Sequence, residues 1–318
     1  MKNIGNNIRK LNKKIKPHKA PEPKQSLIIT TVIIIMSLLL FLYCISLLVP
    51  LFWMLFTSVK DDFEYVVNPL WPSASGIRLE NYVDVIRFLK VTVNSGSGIV
   101  EYGILDMFVN SILLAVGSPL ISLVLVVFCA YPMARFKFVG NKLIYTIGII
   151  VMVTPIFGTF PSIMMVKRSL GIYDNMLLML LTNDSVAFSG YNFLIFYAAF
   201  RGIPKDFSDA AEIDGANQYL IMFKIMMPMI LPTFTTLFVL GFIASWNDYG
   251  TPLYWLPSYP NIPYGMYLFQ LNATAGGDAA NIPLIMAGFT IVMIPVVILY
   301  LLSQKVITKN FTMGGIKG

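Results

Sequence analysis

Long apolar stretches are the feature that most limits what this 318-residue chain can fold into. A helix of about 20 apolar residues crosses the ~30 Å hydrocarbon core of a bilayer. Six stretches reach that length: roughly 28–56, 107–131, 143–166, 175–200, 229–251 and 284–304. They predict an all-α integral membrane protein with six transmembrane helices.

Composition supports this interpretation. Charged residues make up only 12% of the chain and hydrophobic residues 57%, whereas an ordinary soluble domain is about a quarter charged. The formal charge of +7 lies in loops and tails between the apolar stretches. Charges placed there are typical of topology signals, so a lipid bilayer is the expected surrounding and no nucleic acid partner is expected.

The positions of lysine and arginine predict the orientation. With the N-terminus in the cytoplasm, the inner segments hold 17 of these residues and the outer segments hold 6. Positive residues accumulate on the cytoplasmic side, so both termini are predicted to be cytoplasmic. Residues 1–25 form a basic cytoplasmic segment, either an amphipathic helix on the inner leaflet or a disordered tail, and residues 26–318 form the transmembrane domain.

Catalytic and metal chemistry are not expected. The only histidine is His18, in the basic segment, and Cys44 and Cys129 both lie inside apolar stretches without a partner at ligand spacing. The chain also lacks a Gly-x-x-x-x-Gly-Lys-Ser/Thr phosphate loop. We therefore expect that the chain is not an enzyme and binds no cofactor itself.

A predicted cytoplasmic segment at about 202–228 has a helical pattern of its own. Pro204 suits a first helical turn, and Asp206 and Asp209 lie near the positive end of the helix dipole. Gly215 fits the left-handed residue that ends such a helix. The pattern predicts a short helix followed by a sharp turn.

One side of this short helix is apolar. Its apolar residues are Phe207, Ala210, Ala211 and Ile213. A small helix with close-packing alanines suits docking into a groove on another protein, but a simple helical turn between two spans would look the same. A second short helix is predicted to run from about Asn217 to the membrane at Pro228.

The segment resembles the EAA loop of ATP-binding-cassette (ABC) importer permeases. The family pattern is Glu-Ala-Ala followed by Asp-Gly-Ala. The matching residues are Asp209, Ala210, Ala211, Asp214, Gly215 and Ala216. Asp209 replaces the usual glutamate and keeps its charge with one methylene less reach. The resemblance implies a type I ABC importer permease fold, in which a coupling helix seats in a cleft of a cytosolic ATPase subunit.

Further matches are similar to the carbohydrate branch of the binding-protein-dependent permeases, of the maltose-permease type. They are Asn110-Ser111, 130–136, 171–175, Trp246-Asn247-Asp248 and 314–318. The resemblance implies a multi-pass protein of a bacterial inner or plasma membrane that imports a sugar or oligosaccharide. It also implies a second, unlike permease subunit, two ATPase subunits that bind ATP and Mg²⁺, and an extracytoplasmic solute-binding protein.

Polar side chains within the predicted spans are candidates for the solute pathway, because polar groups are costly in a bilayer. The candidates are Asn183, Asp184, Tyr191 and Asn192 in the fourth span and Trp246, Asn247 and Asp248 in the fifth. Sugars favour aromatic platforms flanked by hydrogen-bonding side chains, and these segments carry both. The same residues could instead join helices to each other.

Two other functions compete with sugar import by an ABC transporter. A gradient-driven secondary transporter often carries an inverted repeat and ionisable groups at mid-span; here no repeat is evident and Asp184 is the one clear ionisable candidate. An ABC permease for a non-sugar solute is the nearer alternative, against which the matches at Asn110-Ser111 and Trp246-Asn247-Asp248 argue.

Overall fold

The structure is a computed structural model and describes residues 27–74, 76–95, 98–154, 158–182, 190–275 and 281–313. The chain divides into two units after Phe52. The described part of the first unit is the beginning of helix α1, Leu27–Ser58, whose apolar side chains are exposed in the isolated chain as expected for a helix surrounded by lipid.

The second unit contains short helices and a hairpin, followed by longer helices. They are α2 (Asp62–Val67), α3 (Glu80–Phe88), β1 (Val91–Ser95), β2 (Gly98–Tyr102), α4 (Ile104–Arg135), α5 (Asn141–Val153), α6 (Phe160–Ser169), α7 (Met176–Thr182), α8 (Tyr191–Gly202), α9 (Asp206–Ile213), α10 (Gln218–Ile221), a π-helical turn (Met222–Met226), α11 (Met227–Trp246), α12 (Gly250–Tyr254), α13 (Ile262–Ala275) and α14 (Ile282–Met313).

Among the described residues, four helices are long and apolar enough to cross a membrane. They are Ile29–Ser58, Ile104–Arg135, Gln218–Trp246 and Ile282–Lys305. They confirm the helices expected at 28–56, 107–131, 229–251 and 284–304. Within the part of the chain that the structure describes, each of the other two apolar stretches contains two shorter helices.

The stretch at 143–166 is divided between α5 and α6. Helix α5 ends at Val153, and Thr154 is extended, with ψ 112°. The sequence places Pro155 next, and the residue before a proline is disfavoured in the helical region. The stretch at 175–200 is likewise divided between α7 and α8, and Gly190, with φ 104°, precedes α8.

A two-stranded antiparallel hairpin corrects the all-α prediction. Strands β1 and β2 pair with Val91 opposite Tyr102 and Val93 opposite Val100. Val91 and Val93 are buried while Thr92 between them is exposed, which is the period-two alternation of a strand with one packed face. Each strand has five residues, so neither is long enough to belong to the apolar stretches of about 20 residues from which the all-α fold is predicted.

Two hydrophobic cores lie near opposite ends of α4, a helix of 32 residues that is about 48 Å long. The core near its beginning joins α3, β1, α13 and α14. Its buried residues are Val85, Leu89, Val91, Val93, Met107, Ile262, Met266 and Ala287. The core near its end joins α8, α9, the π-helical turn and α11.

Helix α11 approaches α4 closely between the two cores. A Cβ placed on Gly241 of α11 would lie 2.7 Å from the Cβ of Pro119 in α4, so only glycine fits there. Small residues allow such backbone contact between membrane helices, which lack a hydrophobic driving force for association.

The region around the first core, comprising the described residues of 57–102 and 248–272, is called the loop platform below. Two of its buried polar side chains donate to backbone carbonyls within it, whereas the buried Thr57 Oγ1 has no hydrogen-bond partner among the described residues. Lys60 is fully buried and its Nζ donates to the carbonyl of Asn68 at 2.6 Å. Asn81 Nδ2 donates to the carbonyls of Ser58 and Lys60 at 2.9 and 2.8 Å. Burial lowers the pKa of Lys60, an effect that the nearby Glu64 carboxylate partly opposes.

Helix α4 is anchored to this platform by two adjacent side chains. Asn110 Nδ2 donates to the carbonyl of Pro260 at 2.9 Å, and Ser111 Oγ accepts from the backbone N–H of Ile262 at 2.9 Å. Asn261, which lies between Pro260 and Ile262 in the chain, donates through its Nδ2 to the carbonyl of Asp248 at 2.8 Å. The Asn110-Ser111 pair therefore fixes the turn that starts α13.

Candidate functional site

Helix α9 occupies Asp206–Ile213, where the sequence predicts a short helix. The carbonyl of Lys205 accepts the backbone N–H groups of Ser208 and Asp209 at 2.8 and 3.0 Å and so begins the helix. Asp206 and Asp209 lie in the first turn, where negative charge is favourable beside the unpaired N–H groups of the helix.

Gly215 ends the helix in the expected left-handed conformation, with φ 81°. Its N–H donates to the carbonyl of Glu212 at 3.0 Å, and the N–H of Ala216 donates to the carbonyl of Ala211 at 2.9 Å. This pair of bonds is a Schellman motif, which satisfies the last helix carbonyls and reverses the chain. A Cβ on Gly215 would meet no atom within 4 Å, so the backbone conformation alone requires glycine.

The apolar residues of α9 do not share one environment. Ala211 is 8% exposed and packs into the second core with Ile203 and Met226. Phe207 is 48% exposed and Ile213 86% exposed. Ala210, Asp209 and Asp214 are exposed as well. One alanine thus seats the helix on the membrane-spanning helices, and the remaining surface faces outward.

The chain after Gly215 corrects one detail of the prediction. Asn217 Oδ1 accepts the N–H of Leu220 at 2.8 Å and starts α10 where a second short helix is expected. That helix does not end at Pro228 but continues through the π-helical turn into α11. Pro228 lies in the first turn of α11, and the wider π turn before it accommodates a residue that lacks an N–H donor.

Arg135 is a residue of this site that the sequence patterns do not identify as functional. It ends α4, and its guanidinium donates to the carbonyl of Ile203 at 2.9 Å and to Ser208 Oγ at 3.1 Å. Longer bonds reach the carbonyls of Phe200 and Pro204 at 3.4 and 3.5 Å. These partners lie 65 to 73 residues away in the chain, so no local pattern could have identified them.

A cleft of about 1200 Å³ opens beside α9. Five cationic side chains and two carboxylates line it. They are Arg135, Lys137, Lys142, Arg201 and Lys205, with Asp209 and Glu212. Its walls therefore combine charge with the aromatic rings of Tyr145 and Tyr197, whose centroids lie 4.9 Å apart.

Of the seven solute-pathway candidates, the structure describes five. Asn183 and Asp184 lie outside the described residues. Tyr191, at the start of α8, is 63% exposed. The adjacent Asn192 has a buried Oδ1 that no hydrogen-bond donor reaches among the described residues.

Trp246 is fully buried at the end of α11. Its Nε1 donates to the carbonyl of Val292 at 3.0 Å. The ring stacks on Phe242 at 5.8 Å and meets the edge of Phe108 at 6.0 Å. The exposed Asn247 donates to the carbonyl of Ile243 at 2.8 Å. In this conformation the indole has no free face to offer to a sugar.

Asp248 starts helix α12. Its Oδ1 accepts the N–H groups of Gly250 and Thr251 at 2.8 and 3.1 Å. It borders a cavity of about 30 Å³ that Ser118 and Ser245 also line. That volume has room for a water molecule and is far too small for a sugar.

Comparison with known proteins gives one matching family. The sequence model described as binding-protein-dependent transport system inner membrane component matches residues 122–312. This range contains α9, the Gly215 turn and the part of α4 from residue 122 onward.

Curated relatives match over most of the chain. The inner membrane ABC transporter permease protein YcjP of Escherichia coli is 30% identical, covering 87% of this chain and 94% of that protein. The diacetylchitobiose uptake system permease protein NgcG of Streptomyces coelicolor is 25% identical over 87% of this chain and 86% of its own length. The arabinooligosaccharides transport system permease protein AraQ of Bacillus subtilis is 27% identical, covering 89% and 95%.

One solved structure has a similar fold. A crystal structure of a bacterial ABC transporter involved in the import of the acidic polysaccharide alginate superposes with a TM-score of 0.70 at 21% identity. The match covers 89% of this chain and 99% of that one. At this identity the likeness concerns the fold alone.

Proposed function

We propose, from the premise that this chain belongs to the family of binding-protein-dependent transport system inner membrane components, that it forms half of the membrane pathway of an ATP-driven sugar importer. Membership makes the chain a multi-pass ABC importer permease of the inner membrane and not an enzyme. It also removes the gradient-driven secondary transporter from consideration. A sugar or oligosaccharide is proposed as the solute because related permeases are named for diacetylchitobiose and arabinooligosaccharides.

The proposed topology has six spans with both termini in the cytoplasm. Helices α1, α4, α11 and α14 supply four crossings. The segments that contain α5 with α6 and α7 with α8 would supply the other two as interrupted helices, which are tolerated where neighbouring protein covers the freed backbone groups. Residues 1–25 would remain a basic cytoplasmic segment, and 26–318 the transmembrane domain.

The observation that carries the proposal is the way α9 is held. Ala211 and the Schellman turn at Gly215 fix its inner side, while Phe207 and Ile213 face outward without cover. A short rigid helix with an uncovered apolar surface suits a cleft on a cytosolic ATPase subunit. The charged cleft of about 1200 Å³ beside it would give that subunit further polar contacts.

In the proposed cycle α9 acts as the coupling helix. ATP and Mg²⁺ bind the two ATPase subunits and close them, which moves the coupling helices together. The attached spans then change from an inward-facing to an outward-facing arrangement. Such a switch requires that the ATPase contacts differ between two discrete states. An extracytoplasmic binding protein delivers the sugar, and hydrolysis resets the importer.

A second, unlike permease subunit would complete the pathway. Of the solute candidates, Tyr191 and Asn192 have an exposed ring and an unpaired amide oxygen, respectively, among the described residues. We place solute contact there, together with Asn183 and Asp184 between α7 and α8. Trp246, Asn247 and Asp248 would shape the same pathway through the backbone bonds described above.

Cysteine labelling tests the sidedness on which this function depends. In a background with Cys44→Ala and Cys129→Ala, Ile213→Cys on α9 should react with a membrane-impermeant maleimide only in inside-out vesicles. Ile99→Cys, on strand β2 and 77% exposed, should react only in right-side-out vesicles. The ATPase subunits should protect Ile213→Cys in the assembled importer. Labelling of Ile213→Cys from the outer side would overturn the coupling role.

A further inference from the structure

The guanidinium of Arg135 gathers acceptors from separate elements. Its hydrogen-bond partners are the carbonyls of Phe200, Ile203 and Pro204, Ser208 Oγ and Met226 Sδ. They belong to the end of α8, the link between α8 and α9, the first turn of α9 and the π-helical turn. One side chain on α4 thus touches both ends of the segment that carries α9.

This arrangement uses geometry that arginine alone provides. The carbonyl of Phe200, in the last turn of α8, lies at the negative end of the helix dipole and accepts both the N–H of Ile203 at 3.3 Å and the guanidinium. Arginine offers five N–H donors in a planar fork, whereas lysine has a single ammonium centre. Neither of the two ion pairs found among the described residues involves Arg135. Carbonyl and hydroxyl oxygens therefore fix the direction of the guanidinium.

The remaining connections of α9 are weaker. A three-residue link, 203–205, joins α8 to α9, and Ile203 is the one side chain in it that packs into the second core. On the other side the Gly215 turn leads to α10, and Ala211 contributes one small buried side chain. Without the fork, α9 could tilt about these joints.

We propose that Arg135 is the positioning residue that makes α9 and α4 move as one body. It transmits displacement of α9 into α4, whose other end Asn110 and Ser111 fix to the loop platform. This inference rests on the proposed coupling role of α9. It adds that force passes directly into α4 through the fork, in addition to the covalent route through α8 and α11.

A distance measurement tests the rigid connection without knowledge of the sugar. Spin labels at Val139→Cys and Ile213→Cys, in the background without native cysteines, report the separation of α4 and α9. Val139 is fully exposed. Asn141, which donates to the carbonyls of Met133 and Phe136 at 3.1 and 2.9 Å, holds its turn to α4. The importer, assembled with its ATPase subunits, is measured by pulsed electron paramagnetic resonance without nucleotide and after trapping with ATP and vanadate.

With Arg135 in place, the labelled importer should give one narrow distribution of the distance between the two spin labels, and trapping should leave this distribution unchanged. Arg135→Gln should broaden the distribution and make it shift on trapping, because a glutamine amide cannot reach the same set of acceptors as the guanidinium. Arg135→Lys should be intermediate. Arg201→Gln is the matched control, because Arg201 bonds Tyr197 and its loss removes the same charge without touching α9.

Three outcomes would overturn the inference. The distribution could shift on trapping with Arg135 present, it could stay narrow in Arg135→Gln, or Arg201→Gln could broaden it equally. None of these contradicts the coupling role itself, which the sidedness of Ile213→Cys tests separately. Should Arg135→Gln fail to assemble, Ser208→Ala is the substitute variant, because it removes one hydrogen-bond partner of Arg135. Ser208→Ala should also broaden the distance distribution. A narrow distribution in both Ser208→Ala and Arg135→Lys would overturn the inference.

Discussion

The two ends of α4 are built in contrasting ways. At its beginning, buried polar side chains of the loop platform, Lys60 and Asn81, donate to backbone carbonyls of the same region. At its end, a short helix is held by one arginine fork, one glycine turn and one buried alanine, and its outward surface is uncovered. The first end is held by bonds within the chain, whereas the second presents the exposed side chains of Phe207 and Ile213.

This contrast indicates that the platform end of α4 controls stability and that the end beside α9 controls movement. A network of paired buried groups resists deformation, because breaking one bond leaves a partner desolvated and unpaired. A lightly attached rigid helix can move as a unit. Substitutions in and beside the platform should lower stability before transport, and substitutions around α9 should lower transport before stability.

The largest effect on stability is expected at Trp246, next to the platform. Trp246→Ala removes a fully buried indole and its bond to Val292, which should cost about 3–5 kcal/mol. The thermal unfolding midpoint of the purified protein in detergent measures this loss. Trp71→Ala, where the side chain is 73% exposed, is the control and should leave the midpoint nearly unchanged. Equal midpoints for the two variants would contradict the packing role.

Gly215→Val should separate transport from stability at the other end. Valine at φ 81° is strained by about 1–3 kcal/mol, which is enough to open the turn and lower ATP-driven uptake about tenfold or more. Gly215→Asn is the matched variant, because asparagine tolerates the left-handed region, and uptake should be largely retained. Uptake by the reconstituted importer, screened over a set of oligosaccharides, gives the measurement. Equal losses in both variants would show that the conformation is not what matters.

A smaller effect is expected at Asp174, which connects α7 to the platform. Its carboxylate accepts the N–H and hydroxyl of Ser258 at 2.9 and 2.7 Å. Asp174→Ala should cost about 1–3 kcal/mol and speed amide hydrogen exchange in residues 256–262. Asp174→Asn keeps one acceptor oxygen and tolerates the φ of 58° at this position, so its loss should be smaller. Unchanged exchange in Asp174→Ala would remove this connection from the platform.

The smallest effect is expected at Lys60 and depends on pH. Because burial lowers its folded-state pKa, the unfolded chain binds the proton more tightly, and stability should rise as pH increases from the folded value towards the ordinary one. Lys60→Met should remove this rise and change the free energy of unfolding by less than about 1 kcal/mol. The lost bond goes to the carbonyl of Asn68, a residue that is only partly buried, and replacing a buried charge with an apolar side chain of similar length offsets that loss.

Lys90→Met serves as the control for Lys60→Met. The substitution removes only the exposed ion pair in which Lys90 Nζ lies 2.6 Å from Glu101 Oε1. Exposed ion pairs contribute little to stability. The alkaline rise in the unfolding midpoint should therefore persist in Lys90→Met. Its absence from both variants would assign the rise to another group.

Short patterns in the sequence were enough to predict the membrane class, the four long apolar helices and the local form of the segment around α9. Each depends on a pattern within a short window. Apolar length decides whether a helix can cross a bilayer, and the Asp214-Gly215-Ala216 run is enough to end α9, because a Schellman turn closes its bonds within six residues. Family membership followed from the same short patterns.

Tertiary structure decided which side chains are buried and what they hold. The sequence predicts that the indole of Trp246 could stack on a sugar, but in the structure the rings of Phe242 and Phe108 pack against it. Arg135 reads as one more inner positive charge, yet its partners come from 65 or more residues away, and Asn110 meets Pro260 across 150 residues. Such contacts depend on how helices pack against each other, and packing depends on the whole chain, which no short window of sequence contains.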